Sequence, residues 1–149
     1  MKKIIFFLQI LFFLVICCDR QTQHYKLILP DHFKFILKQT DTNKKMLIYY
    51  HSGECSFCFG ILNGLSLGIP EVPIVSISAS RDSVLTEFYH DNIQFRGLLL
   101  HDSDSLFYKS NHSILSKKRI ILVDSNYSVL FTAKEFDNDV VELIKKHLY

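Results

Sequence analysis

The chain has 149 residues, of which 48% are hydrophobic and 13% aromatic, so an intrinsically disordered protein is excluded and one domain with its own core is expected. The formal net charge is +2, and Lys117, Lys118 and Arg119 form a basic cluster too short to indicate a nucleic-acid-binding protein. This cluster is interpreted either as a solvated patch or as a contact for a partner protein.

The N-terminal segment has the pattern of a secretory signal peptide. Lys2 and Lys3 supply positive charge, and the apolar run 4–16 is short for a membrane-spanning helix. Cys17 and Cys18 end this run and resemble the cleavage site of bacterial lipoproteins, so we expect lipid attachment at Cys18, or else at Cys17. A plain signal peptide and an uncleaved anchor are the alternatives.

This leader divides the chain into three parts and predicts its location. Residues 1–18 are expected to be a signal peptide of the lipoprotein type, 19–24 a polar tether, and 25–149 the folded domain. The protein is therefore expected to be exported, lipid-anchored in a bacterial cell envelope and facing the periplasm. Of the four cysteines, Cys55 and Cys58 belong to the folded domain, and outside the cytosol such thiols tend to be oxidised.

Hydrophobic periodicity in the first half of the domain favours alternating strands and helices. A strand rich in Ile and Tyr is followed by Ser52 and Gly53, which end it, and then by a segment with helical apolar spacing. The predicted elements are a strand at 25–29, a helix at 32–39 that Asp31 can cap, a polar turn at 40–45, a strand at 46–51 and a helix at about 55–66.

The second half repeats the alternation and then changes to a hairpin. Strands alternating with helices, followed by a hairpin and a closing helix, indicate an α/β sandwich with a mixed central sheet flanked by helices. The predicted elements are a strand at 73–78, a helix at 83–90, a strand at 97–101, a short helix or loop at 103–112, strands at 120–124 and 128–132, and an amphipathic helix at 137–148.

Cys55 and Cys58 lie one helical turn apart where the strand 46–51 gives way to a helix. A thiol in the first helical turn is close to free backbone N–H groups and to the positive end of the helix dipole, which favour its thiolate. The second thiol is close enough to form a disulfide with the first. A loop this small stabilises a fold little, so the pair is interpreted as a reactive dithiol.

The Cys55 and Cys58 pair has other interpretations. A passive disulfide or two buried thiols is the structural alternative. Zinc needs four ligands and haem attachment needs C-x-x-C-H, whereas His51 is the only histidine near the pair and residue 59 is Phe, so neither a metal nor another cofactor is expected. A peroxidase is a weak alternative, because Ile48 occupies the proline position of the peroxiredoxin motif.

The order of elements across 25–149 resembles the thioredoxin-like fold, and it is most similar to the exported, membrane-tethered thiol–disulfide oxidoreductases of bacteria, which border on the peroxiredoxins. The resemblance rests on segments 46–58 and 73–78 and on the strand–Asp–turn–strand segment 120–130. It implies a three-layer sandwich in which Cys55 is the nucleophile and Cys58 the buried resolving thiol.

The sequence departs from that family at three positions around the dithiol. Lys118 takes the place of the cis-proline in the substrate-docking loop, and a cis bond before a non-proline residue would cost about 2.5–4 kcal/mol. Tyr49 takes the place of a buried carboxylate, which leaves His51 as the nearest titratable substitute and a candidate proton relay. Glu54 replaces the aromatic residue before the first cysteine, and its charge would disfavour a thiolate if it pointed there.

The resemblance and the leader together predict a redox enzyme of the cell envelope. We expect a thiol–disulfide oxidoreductase that exchanges disulfides with exported proteins through Cys55 and Cys58. Its expected partners are protein disulfides or dithiols, a membrane or periplasmic electron donor or acceptor, and the lipid bilayer that holds its N-terminal anchor. The alternative is a non-catalytic envelope lipoprotein that binds a partner protein, which the missing proline favours.

Overall fold

The computed structural model describes residues 25–39 and 44–149, whose centre is a mixed five-stranded sheet in the order β3-β2-β1-β4-β5. Strands β1, β2 and β3 run parallel, β4 is antiparallel to β1, and β5 is antiparallel to β4. The predicted signal peptide, the tether, Cys17 and Cys18 lie outside these residues. The strands are β1 Met46–His51, β2 Ile74–Ser78, β3 Leu98–His101, β4 Ile120–Val123 and β5 Val129–Ala133.

Helices cover both faces of this sheet. Side chains alternate along β1, so Leu47 and Tyr49 join one core cluster while Ile48 and Tyr50 join the other. The helices are α1 Asp31–Gln39, α2 Ser56–Gly68, α3 Ser83–Asn92, α4 Leu106–Ser110, α5 His112–Leu115 and α6 Asn138–Leu148. Residues of α2, α3 and α6 pack on the first face and residues of α1, α4 and α5 on the second. The predicted three-layer α/β sandwich is confirmed.

Short polar side chains start two of the predicted helices. The Leu85 N–H donates to the Asp82 carboxylate at 2.9 Å, and the Val140 N–H donates to the Asp137 carboxylate at 2.8 Å. Asp31, by contrast, is the first residue of α1 instead of its cap. In all these helices the structure agrees with the predicted bounds to within two residues.

The strand predicted at 25–29 is wrong. The segment makes one isolated antiparallel bridge, from Lys26 to Ser128 at the edge of the sheet. Beyond the bridge, the Ile28 N–H donates to Asn111 Oδ1 at 2.8 Å and the Asn111 amide donates to the Ile28 carbonyl at 2.8 Å. A side chain from between α4 and α5 therefore takes the hydrogen bonds that a neighbouring strand would have made.

The short helix or loop predicted at 103–112 consists of two short helices joined at Asn111. The fully buried Asp102 carboxylate accepts the N–H groups of Phe107 at 2.8 Å and Tyr108 at 2.9 Å, which fixes the start of α4. None of the helices in residues 25–39 and 44–149 has the length and apolar character needed to cross a bilayer.

Candidate active site

The dithiol lies at the carboxyl end of β1, where the chain enters α2. Cys55 has extended backbone angles and is the N-cap of α2, and its sulfur accepts the Cys58 N–H at 3.1 Å. The same N–H also donates to the Cys55 carbonyl at 2.9 Å, so the sulfur shares this donor, and the sulfur lies at the positive end of the helix dipole. Local geometry therefore favours negative charge on the sulfur of Cys55 when the pair is reduced.

The two cysteines differ in exposure. Cys55 is partly exposed, whereas Cys58 is 3% exposed and packs in the core cluster with Tyr49 and Phe59. The pair forms a disulfide, and the Ser52 hydroxyl lies 4.0 Å from the Cys58 sulfur. A nucleophilic thiol must be accessible to a substrate, whereas a resolving thiol need not be. The different exposures of the two cysteines fit these two requirements.

Gly53 holds the loop that precedes Cys55. Its φ is +80°, and a Cβ there would collide with the Ser78 hydroxyl and lie 2.6 Å from the Ser80 Cβ, so glycine is required. The Gly53 N–H donates to His51 Nδ1 at 3.0 Å, and the Thr86 hydroxyl is 3.4 Å from the Gly53 carbonyl. The loop is thereby fastened to the ends of β1 and β2 and to α3.

Glu54 is oriented by a buried serine. Its carboxylate accepts the Ser80 hydroxyl at 3.1 Å, and Ser80 is 3% exposed. The Asp82 N–H donates to the same hydroxyl at 2.9 Å, which fixes the serine in turn. The carboxylate next to Cys55 is therefore anchored to the loop between β2 and α3.

His51 belongs to a buried hydrogen-bond chain. Because its Nδ1 accepts the Gly53 N–H, its proton is on Nε2, which donates to the Ser76 hydroxyl at 2.8 Å. The Ser76 hydroxyl then donates to His90 Nε2 at 3.2 Å. Burial, then the neighbouring His90 and His101, lower the pKa of His51 to about 3, so the ring is neutral at neutral pH.

Tyr49 forms the floor of the site beside His51, and their ring centroids are 5.2 Å apart. Burial raises the pKa of Tyr49 to about 12, although the charge of Arg119 opposes this rise. The phenol therefore stays protonated at neutral pH. Tyr50 points to the other face of the sheet, where its hydroxyl is 3.4 Å from the Asp102 carboxylate.

A cavity of about 610 Å³ opens beside the dithiol. Its aromatic and apolar lining comes from α2, α4, α5 and the segment after β5. A larger cavity of about 930 Å³ lies where β1, β2 and β3 begin, and no cysteine or histidine lines it. We assign the candidate site to the smaller cavity, whose lining includes Cys55, Cys58, Phe57, Ile61, Tyr108, Leu115 and Phe136.

The predicted docking loop lies on this cavity. We call residues 116–119, which connect α5 to β4, the strap; Lys117 and Arg119 of the strap line the cavity. The Tyr50 N–H donates to the Arg119 carbonyl at 2.9 Å, and the Lys118 N–H donates to the Ile114 carbonyl at 2.9 Å. No peptide bond is cis within the part of the chain that the structure describes.

Several lining residues were not predicted from the sequence, because only the fold brings them close to the dithiol. Tyr108 and Phe136 come from elements more than 45 positions beyond Cys58. For Phe136 the sequence offers one signal, the glycine at position 64 of α2. A Cβ at Gly64 would lie 2.7 Å from the Phe136 ring, which packs there. Among the described residues, no group of three or more His, Cys, Asp or Glu side chains could hold a metal ion.

Solved structures with a similar fold include several bacterial redox proteins. The thioredoxin domain of a thiol-disulfide oxidoreductase from Bacteroides vulgatus superposes with a TM-score of 0.60 at 18% identity, covering 72% of this chain and 81% of that one. A thiol-disulfide oxidoreductase from Bacteroides fragilis gives 0.58 at 15% identity, covering 73% and 86%. StoA from Bacillus subtilis gives 0.56 at 13% identity, covering 74% and 87%.

Sequence comparison adds no closer assignment, because no family model and no curated protein matches the chain. The superpositions support the layered arrangement of this chain, a mixed five-stranded sheet with helices on both faces. The chain therefore has a thioredoxin-like fold.

Proposed function

We propose that this protein is a thiol–disulfide oxidoreductase of the bacterial cell envelope that exchanges disulfides with exported proteins. One observation carries the proposal: the partly exposed Cys55 sulfur caps α2 at the edge of a cavity, bonded to the buried sulfur of Cys58. The structural neighbours from Bacteroides are named thiol-disulfide oxidoreductases, which supports the same chemistry here.

The reduced protein would act in two displacements at sulfur. The Cys55 thiolate attacks one sulfur of a client disulfide, the client S–S bond breaks, and the other client sulfur leaves as a thiolate. The Cys58 thiolate then attacks the Cys55 sulfur, which forms the Cys55–Cys58 disulfide and releases the second client thiolate. Two electrons pass from the dithiol to the client disulfide.

A partner must restore the dithiol for turnover. A membrane or periplasmic dithiol protein would donate two electrons by the same exchange, run from its own thiolate to the Cys55–Cys58 disulfide. Run in reverse, the exchange oxidises a client dithiol, and the envelope partner accepts the electrons. Measuring the reduction potential of the pair against a reference dithiol would assign the direction.

The envelope location is part of this proposal and rests on the leader. We propose export and lipid attachment at Cys18, with Cys17 as the second candidate, because the apolar run and its cysteines resemble a lipoprotein signal. Labelling cells with a radioactive fatty acid tests this. Cys18→Ser should remove the label while Cys17→Ser keeps it, and a label in both variants would contradict lipid attachment at either cysteine alone.

A proton relay through His51 remains a proposal within this mechanism. The imidazole would have to exchange its Nε2 proton through Ser76 or give up the Gly53 N–H at Nδ1. If His51 relays protons, His51→Gln should change the pH profile of Cys58-dependent resolution, and Ser76→Ala, which keeps the ring, should change it as well if the proton passes through Ser76. An unchanged profile in His51→Gln would leave His51 as a residue that positions the loop.

Exchange kinetics test the proposed function directly. We expect full-length protein in detergent to exchange with a small neutral disulfide, and we expect Cys55→Ser to abolish the reaction because the attacking sulfur is gone. Cys58→Ser should complete the first displacement and stop at the mixed disulfide. Equal rates in wild type and Cys55→Ser would refute the proposal, and binding of client without any exchange would favour the non-catalytic alternative.

Trapping in cells would identify the clients. Cys58→Ser leaves the mixed disulfide with no resolving thiol, so client proteins should remain covalently attached through Cys55 on non-reducing gels. The Cys55→Ser variant is the matched control, because it keeps the other thiol of the pair, Cys58, which is buried. Adducts of equal amount in both variants would contradict Cys55 as the nucleophile.

A further inference from the structure

Three cations line the cavity that contains the dithiol. Lys117 and Arg119 lie on the strap, and Lys134 directly follows β5. The Arg119 N–H donates to the Ala133 carbonyl at 3.0 Å, and the Arg119 carbonyl accepts the Tyr50 N–H at 2.9 Å. The backbone of both cation-bearing segments is therefore hydrogen-bonded to the sheet, and their side chains line the same cavity as the two cysteines.

The positive charge of this cavity is neutralised only in part, because Glu135 is the one carboxylate among its described lining residues and faces three cations. Lys117 and Arg119 form no ion pair within residues 25–39 and 44–149. Lys134 lies 3.6 Å from Glu135, but both side chains are at least 71% exposed, and such pairs are weak. Glu54, the carboxylate beside the dithiol, is hydrogen-bonded to a serine after β2.

The charge of Arg119 reaches the floor of the cavity. Burial lowers the pKa of His51, and Arg119 acts in the same direction after His90 and His101. At Tyr49, burial raises the pKa and Arg119 opposes the rise. Arg119 lines the cavity that Tyr49, His51 and the dithiol also line, which agrees with these effects of its charge.

Apolar side chains complete the opening. Phe57, between the two cysteines, is 76% exposed, and Ile61 follows it one turn along α2. Phe136 and Tyr108 line other parts of the cavity. A bound segment would therefore meet exposed apolar surface and positive charge together.

We propose, on the basis of the proposed function, that the cavity beside the dithiol, which we call the cation-lined groove, binds client segments. These segments would carry carboxylate side chains and an apolar residue close to the client's reactive cysteine. Opposite charge raises the rate of encounter and aligns the client sulfur with Cys55, and the apolar contacts hold it there. A polypeptide is favoured over an anionic lipid surface, because Lys117 and Arg119 line a concave cavity that a flat bilayer could not enter.

Binding by paired peptides separates this inference from the proposed function. Two fluorescent peptides would carry a serine where a client has its cysteine, so that binding to the full-length oxidised protein is measured without exchange. The residues that flank the serine would be acidic in one peptide and basic in the other. We expect wild type to bind the acidic peptide about tenfold more tightly at low salt, and the difference to shrink at high salt.

Charge reversal identifies the residues responsible. The Lys117→Glu, Arg119→Glu double variant should lose or invert the preference, and a milder Lys117→Gln, Arg119→Gln variant covers a failure to fold. The matched control, Lys38→Glu with Lys146→Glu, makes the same change in net charge on exposed positions of α1 and α6 and should keep the preference. Equal affinities of wild type for both peptides would overturn the inference, as would a preference unchanged by the strap variants.

Two further outcomes are distinguishable. Exchange of wild type with a neutral disulfide, without any charge preference in binding, would uphold the proposed function and overturn the groove inference. A charge preference without exchange would uphold the groove and reject the proposed function. Strap-dependent binding to vesicles of anionic lipid, with no peptide preference, would replace the peptide by a membrane surface and overturn the inference as stated.

Discussion

Gly53→Ala tests most directly how the loop that precedes Cys55 packs against β2. The φ of +80° is a left-handed conformation that costs an L-residue about 1–2 kcal/mol. The new Cβ would also overlap the Ser78 hydroxyl and lie 2.6 Å from the Ser80 Cβ, and making room in packed surroundings costs about 1–3 kcal/mol. The two terms together predict a loss of roughly 2–5 kcal/mol in the free energy of unfolding.

Urea unfolding followed by circular dichroism measures this loss. With a slope of about 2 kcal/mol per molar urea, a loss of roughly 2–5 kcal/mol should lower the urea midpoint by about 1–2.5 M. Exchange through Cys55 should slow as well, because the shifted loop weakens the Gly53 hydrogen bonds to His51 and Thr86.

Gly60→Ala is the matched control for this prediction. Gly60 lies in α2, and its added Cβ would have no atom within 4 Å, so alanine should stabilise the helix by about 0.5–1 kcal/mol. Opposite signs are therefore expected from the same substitution seven residues apart. A Gly53→Ala midpoint equal to that of wild type would refute the reasoning, because the loop could not then be tightly packed on β2.

Three other predictions concern stability and use the same urea titrations. Burial lowers the pKa of His51 from its ordinary 6.5 to about 3 and that of His90 to about 4, so the unfolded chain binds protons that the folded chain does not. Stability present above pH 6.5 is therefore lost as the pH falls towards 3, and His51→Gln should make that decline shallower, with the remainder due to His90. Asp102→Asn should cost about 1–3 kcal/mol, because this buried carboxylate accepts two N–H groups of α4, whereas the exposed Asp91→Asn should stay within about 0.5 kcal/mol. Leu62→Ala should cost about 2–5 kcal/mol, and Leu67→Ala, at a 75% exposed position, less than about 0.5 kcal/mol; equal losses would contradict the buried face of α2.

Most of the fold follows from local signals in the sequence. The apolar run of β1 predicts a strand covered on both faces, and Asp82 and Asp137 indicate where α3 and α6 begin. The segment 25–29 shows the limit of such signals, because its alternating pattern suits a strand as well as it suits the observed structure. What decides against the strand is the Asn111 amide, 83 positions from Ile28, which no local pattern can reveal.

The candidate site was predictable only where it is local. Cys55 and Cys58 are three positions apart at the start of one helix, so their spacing in the sequence predicts that their sulfurs lie close together. The link between His51 and His90 requires β1 to pair with β2 and α3 to fold back over both. The same holds for Lys134, which reaches the cavity through the antiparallel pairing of β4 and β5.

In the proposed mechanism, the surroundings of the Cys55 sulfur favour the first displacement, whereas the surroundings of the Cys58 sulfur disfavour the second. Cys55 has a helix N–H at 3.1 Å and the cations of the strap near its cavity, all of which favour its thiolate and the attack on a client. Cys58 lies buried beside Tyr49, a protonated phenol where the resembling family has a carboxylate, and its hydrogen-bonding neighbour is the Ser52 hydroxyl at 4.0 Å.

Burial without a base raises the cost of forming the second thiolate, because charge is disfavoured in apolar surroundings. In the proposed mechanism the first displacement is therefore favoured over the second, and release of the client depends on how Cys58 loses its proton. Turnover and a trapped adduct thus differ in one quantity, the lifetime of the mixed disulfide at Cys55, whereas a purely non-catalytic binding protein would form no mixed disulfide at all.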